Sequence, residues 1–206
     1  GVDAELDSDK VFFFGHSQGT VVAPAFLQEE SNIQGAVLSG AGSELALSIL
    51  TKTEPVDMAS IAGAFFADRA LTRVHPMIGM IATLFGPADA IAYAPRIVNN
   101  PPRKGLPLLM FSGIGDSFTP DPTQHALMRG LGIPLIKPVV ESVSGVLEIN
   151  SPAKNNVSGT TAGAVQLEPN GYDGHFVVYE NGGAVNPAKT FLQSALDDID
   201  NVEIAR

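Results

Sequence analysis

The sequence predicts an α/β protein: a mostly parallel sheet with helices on both faces and a helical segment inserted between strands. Three observations carry this expectation. Short apolar runs at 11–14, 33–38 and 106–111 show almost no polar alternation, the pattern of strands buried on both faces. Stretches with helical spacing separate them. Each run closes on glycines: Gly15 after the first, Gly40 and Gly42 after the second, Gly113 and Gly115 after the third.

Along the chain, Val11 to Phe14 is β-branched and aromatic and reads as a short strand, with a tight turn over 15–19. Residues 20–30 read as a helix with Val21, Val22, Ala25 and Phe26 on its apolar side. The second strand, 33–38, closes on Ser39-Gly40-Ala41-Gly42. Residues 43–98 differ in kind: Met58, Ile61, Ala62, Phe65 and Phe66 fall at helical spacing, and 77–85 is apolar nearly all round. Two readings stand for this segment, a core helix pair or a lid over a binding cleft. The third strand leads into a Pro-rich turn and a helical stretch at 123–129. Residues 142–161, rich in Ser, Gly and Asn, read as a long loop or hairpin insertion, and Asn156-Val157-Ser158 matches a glycosylation acceptor. Residues 187–199 form a helix started by Pro187, with Phe191, Leu192, Ala195 and Leu196 facing inward. The expected organisation is a core part at 1–42, an inserted helical part at 43–98 and the rest of the core at 99–206.

Composition narrows the chemistry. Of 206 residues, 45% are apolar and 17% charged, enough for one sizeable core. A net charge of −10 with scattered Lys and Arg argues against nucleic acid and anionic membranes as partners. The absence of cysteine removes thiol catalysis, disulfides and thiolate metal sites. No run reaches the roughly 18 apolar residues that would span a bilayer. The polar opening shows no signal peptide, and the compartment stays open, secretion or a periplasmic location being compatible with it.

The strongest motif is Gly15-His16-Ser17-Gln18-Gly19. It follows a strand immediately and opens a helix immediately, the setting in which a serine on a sharp, strained turn projects its hydroxyl above a sheet. The glycines would let the backbone pack closely where a Cβ would clash. A plain Gly-rich turn is the simpler reading. A serine hydroxyl is a poor nucleophile without a base, and the base needs a carboxylate to orient it. Of the four histidines, His16 is Ser17's own neighbour, His75 precedes Pro76 in the inserted segment, and His125 falls in a helical stretch. His175, in Asp173-Gly174-His175-Phe176, sits on a late Gly-flanked loop, where catalytic groups are common. For the acid, Asp116 ends the third strand in a glycine-freed turn, with Asp121 and Asp89 as rivals.

VFFFGHSQGT resembles the nucleophile elbow of the α/β-hydrolase superfamily, LPLLMFSGIGDSFTP resembles its acid-bearing turn, and GYDGHF its histidine loop. The likeness runs from about Val11 to the end, with the three parts in that superfamily's order. It implies Ser17 as nucleophile, Asp116 as acid, His175 as base and the Gln18 backbone N–H as one oxyanion donor. It also implies a serine esterase or lipase, cleaving carboxylic esters with an apolar acyl or aryl group through an acyl-enzyme, without metal or cofactor. The same fold hosts acyltransferases, peptidases and non-catalytic binders. Two departures stand out. Asp116 and His175 are 59 positions apart, leaving room for an insertion. Only sixteen residues precede Ser17, whereas the superfamily has several strands before its elbow and draws its second oxyanion N–H from a loop there. The resemblance therefore implies a further partner besides the ester substrate: an N-terminal segment or chain that completes the sheet and the oxyanion hole.

Overall fold

Val11 and the three phenylalanines after it form strand β1 (Val11–His16), which pairs in parallel with β2 (Ile33–Ser39). The computed structural model describes residues 7–68, 70–99, 101 and 105–206; the polar opening at 1–6 lies outside them. Between the two strands runs helix α1 (Gln18–Leu27). Helices α2 (Leu45–Thr51), α3 (Met58–Phe66) and α4 (Pro76–Phe85), followed by three short 3-10 turns, separate β2 from β3 (Leu108–Gly113). Then come α5 (Asp121–Leu131), β4 (Leu135–Ile136), β5 (Glu148–Ile149), β6 (Ala153–Lys154), β7 (Ala162–Leu167), α6 (Val177–Glu180), α7 (Val185–Asp197) and β8 (Glu203–Ile204). The main sheet has the order β1-β2-β3-β7-β4-β5 with every pairing parallel, and β6 and β8 make a small antiparallel pair.

Period-two alternation along the strands fills two cores. Leu38, Leu108 and Met110 pack on one face with Leu27 of α1 and Leu127 and Leu131 of α5. Val37, Leu109, Phe111 and Val165 pack on the other with Val177 of α6 and Phe191 and Ala195 of α7. Burying side chains of this size contributes about 2 kcal/mol each, which makes the sheet a rigid platform for what stands at its edge.

The structure corrects four expectations. Helix α1 buries Thr20, Ala23, Pro24 and Leu27, while Val22, Ala25 and Phe26 are exposed and Val21 is half-buried. The sequence is apolar on both sides of this helix, and the small residues fit closer to the sheet. Helix α7 begins at Val185, ends at Asp197, and leaves Leu196 exposed. Residues 142–161 are not a detached insertion: β5 extends the main sheet and β6 pairs with β8. Asn156 spends its side-chain amide on the backbone of Ala162, donating to its carbonyl at 2.7 Å and accepting from its N–H at 3.2 Å, so the glycosylation match is a structural asparagine.

The inserted helices are locally well specified. Asp57 caps α3 by accepting from Ser60 N–H at 2.9 Å, and His75 caps α4 ahead of Pro76. Their apolar side chains remain largely outside: Phe65 is 83% and Leu84 71% exposed, and Ile61, Met80 and Phe85 are exposed too. In α3 and α4 only Gly63 and Ile78 are buried, which is not how a core helix pair packs. No helix among the described residues is long and apolar enough to cross a membrane.

Candidate active site

Ser17 occupies the junction between β1 and α1 with φ 54° and ψ −122°. A non-glycine residue in this region is strained by about 1–3 kcal/mol and persists only where its surroundings hold it. Here Ser17 N–H donates to Ser39 O at 3.0 Å, and its carbonyl accepts from Thr20 N–H at 2.8 Å and Thr20 Oγ1 at 2.6 Å. The N–H groups of Gln18 and Gly19, at the start of α1, have no intrahelical acceptor. Gly15 is tightly packed, since a Cβ there would come within 2.6 Å of the Phe13 ring. A Cβ on Gly19 would meet nothing within 4 Å among the described residues, so the expected close packing holds on one side of the elbow only.

Asp116 follows β3 and is buried, as is His175 on the 3-10 turn Gly174–Phe176. The imidazole Nδ1 lies 2.9 Å from Asp116 Oδ2 and 3.1 Å from Oδ1. A carboxylate accepts only, so Nδ1 carries the proton and Nε2 is left as the free base. Burying a carboxylate is costly unless its oxygens are satisfied. Asp116 accepts from Phe118 N–H at 2.8 Å, Thr119 N–H at 2.7 Å, Thr119 Oγ1 at 2.8 Å and Gln124 Nε2 at 3.4 Å.

The acid turn and the histidine loop are joined backbone to backbone. A Cβ on Gly113 would sit 1.8 Å from Gly174 O, and one on Gly174 would sit 2.4 Å from Ile114 O, so both positions require glycine. Asp173 fastens the join: its carboxylate accepts from His175 N–H at 2.8 Å, from Ser117 N–H at 3.3 Å and from the Ser117 hydroxyl.

The elbow and the Asp116–His175 pair share one neighbourhood at the carboxyl ends of β1, β2 and β3. The ring centroids of His16 and His175 are 4.7 Å apart. A Cβ on Gly40, the residue after β2, would fall 2.7 Å from His175 Cε1, and Thr119 Oγ1 lies 2.9 Å from Gly40 O. Ser17 Oγ has no hydrogen-bond partner among the described residues; such contacts commonly tighten only with substrate present. Burial, and after it the charge His175 would carry, hold the proton affinity of His16 below its usual value, against an opposing pull from Asp116.

No known family model matches this chain, and no curated protein is similar to it.

The other candidates lie elsewhere. Asp89 accepts from Glu44 N–H at 3.0 Å and Leu45 N–H at 2.6 Å, tying the start of α2 to the second 3-10 turn. Asp121 is the first residue of α5, accepts from Gly115 N–H at 3.2 Å, and binds its proton more tightly than usual because it is half-buried. His75 caps α4, and His125 lies within α5, 3.6 Å from Glu141. Sequence reasoning missed Thr119, Ser117, Asp173 and the rings around His175. Of these only Asp173 left a signal, as the residue two before His175 in an Asx turn. Among the described residues no group of three His, Asp or Glu side chains is placed to hold a metal ion.

Between α1 and the inserted helices lies a cavity of about 340 Å³, lined by Gln18, Val22, Leu45, Phe85 and Thr119 among others. Its wall is mostly apolar, with Gln18, Ser43, Ser48, Asp89 and Thr119 as polar groups, the make-up of a pocket that takes an apolar group and fixes it at a few polar points.

Proposed function

We propose that this protein is a serine hydrolase of the α/β-hydrolase type that cleaves carboxylic esters with an apolar acyl or aryl group. The observation that carries the reading is the buried Asp116–His175 Nδ1 pair, its imidazole 4.7 Å from the ring of His16, whose chain neighbour Ser17 is held at φ 54° and ψ −122° on a strand-to-helix turn. In this reading Ser17 Oγ attacks the ester carbonyl carbon as His175 Nε2 takes its proton. The Gln18 N–H donates to the oxyanion, and Asp116 stabilises the imidazolium. The carbon–oxygen bond to the alcohol then breaks, His175 returns the proton to the departing oxygen, and the acyl group stays on Ser17 until water, activated by the same histidine, releases it.

The cavity beside Gln18 would take the acyl chain, with α2 to α4 as a lid whose uncovered apolar residues close over it. A second element of the proposal concerns β1. Among the described residues it has a strand partner on the β2 side alone, and its Val11 and Phe14 leave an apolar strip exposed. Such an edge invites pairing. An N-terminal segment or chain docked on it would cover the strip and bring a second oxyanion donor, whose absence costs on the order of a hundredfold in rate.

The test is hydrolysis of short p-nitrophenyl esters by residues 1–206 alone, with the oligomeric state measured on the same sample. The expected result is a burst of one p-nitrophenol per protein and slow turnover. Absence of any burst or turnover contradicts the hydrolase reading; a fast, soluble monomer contradicts the completing segment alone.

A further inference from the structure

Five rings, two imidazoles and three aromatic side chains, pack together around His175. Phe118 stacks on His175 with centroids 4.7 Å apart and planes at 21°. Phe176 meets His175 edge-on at 5.2 Å and Phe118 edge-on at 5.7 Å. Tyr179 meets His16 edge-on at 4.9 Å. Phe176 and Tyr179 are three residues apart on consecutive helical turns, which sets them on one face. They are also the exposed members of the array, Phe176 at 37% and Tyr179 at 59%. Large aromatic rings packed this tightly and left open to solvent beside a buried histidine form a surface shaped for another ring, because offset and edge-to-face contacts are the arrangements aromatic pairs favour.

The chemistry decides which part of a substrate would reach it. The proton that releases the alcohol comes from His175, so the departing oxygen must lie next to that imidazole, while the acyl carbonyl lies at the Gln18 N–H on the cavity side. We infer that the alcohol half of the ester carries a flat aromatic ring, received by a rim made of Phe118, Phe176 and Tyr179. This rests on the hydrolase reading. It assigns the two halves of the substrate separately: an apolar acyl group in the cavity, an aryl or arylmethyl alcohol on the rim. The C–O bond of the arylmethyl ester breaks, the proton moves from His175 Nε2 to the alkoxide, and the aromatic alcohol leaves past Tyr179.

The experiment compares kcat/KM for benzyl butanoate and cyclohexylmethyl butanoate, which share the acyl group and differ in the flatness of the alcohol's ring. Wild type is expected to favour the benzyl ester about tenfold. The double variant Phe176→Leu with Tyr179→Leu keeps apolar bulk at both positions and is expected to bring the ratio close to one, whereas Leu147→Ala, an exposed apolar residue far along the chain, keeps the wild-type ratio. Equal rates in wild type, or a preference that survives the double variant, overturn the inference. If turnover and fluorophosphonate labelling of Ser17 are both absent, the hydrolase reading falls and this inference with it; labelling without ring preference removes the inference alone.

Discussion

Ser17→Ala lowers kcat on a short p-nitrophenyl ester by at least about 10⁴-fold, because without the hydroxyl no acyl-enzyme forms and only binding and the Gln18 donor remain. The fold survives, since alanine keeps the Cβ, and the Ser17 N–H bond to Ser39 and the carbonyl bonds from Thr20 involve backbone groups of residue 17. Alanine also keeps the strain of φ 54°. Ser17→Gly should therefore lose the same activity and gain about 1 kcal/mol of stability, because glycine adopts that backbone freely. Thermal denaturation beside the kinetic assay reads both effects. A variant retaining activity within tenfold of wild type would sink the nucleophile assignment.

His175→Ala should cost as much activity as the loss of Ser17, because the members of such a triad act as a unit. His125→Gln is the control and should leave hydrolysis at about pH 8 nearly unchanged. Its effect lies in stability. Burial lowers the proton affinity of His125 below the usual 6.5. Below about pH 6.5 the imidazole of residue 125 therefore holds more proton in the unfolded chain than in the folded one, and its contribution to stability falls as the pH falls through that window. Replacing His125 removes its share of this loss and flattens the slope between about pH 6.5 and 5; His16 contributes with the same sign and Asp121, whose proton affinity is raised, with the opposite one. Chemical denaturation across that range measures it. A reversal of the two kinetic results would move the base to His125.

The parts of this molecule legible in the sequence are those whose signal is local. Strands β1, β2 and β3 are short apolar runs closed by glycine, and the expected bounds fall within two residues of those observed. Strand β7 escaped notice because Ala-Gly-Ala-Val-Gln-Leu has little β-branched or bulky character; its small residues suit a place between β3 and β4, where a Cβ on Gly163 would come within 2.6 Å of Ile136. Strands β4 and β5, two residues each, are too short for any periodicity. At the site, Ser17, Asp116 and His175 could be picked out because each sits in a turn with its own glycines. Thr119 and Ser117 could not, because a hydroxyl in a loop carries no pattern and acquires its partners only when the acid turn and the histidine loop meet. The aromatic rim was invisible for the same reason: Phe118 and Phe176 are 58 positions apart in sequence and 5.7 Å apart between ring centroids.

The central claim is that Ser17 is a nucleophile activated by His175, and the most direct measurement is covalent. A fluorophosphonate reacts with an activated serine and leaves an adduct that mass spectrometry of the proteolysed protein assigns to one residue. The account predicts a single adduct, on the peptide bearing Gly15 to Gly19 and on Ser17 within it, formed rapidly at about pH 8 and slowed at least a hundredfold in His175→Ala. An unlabelled protein, an adduct on another residue, or equal labelling of wild type and His175→Ala would contradict it.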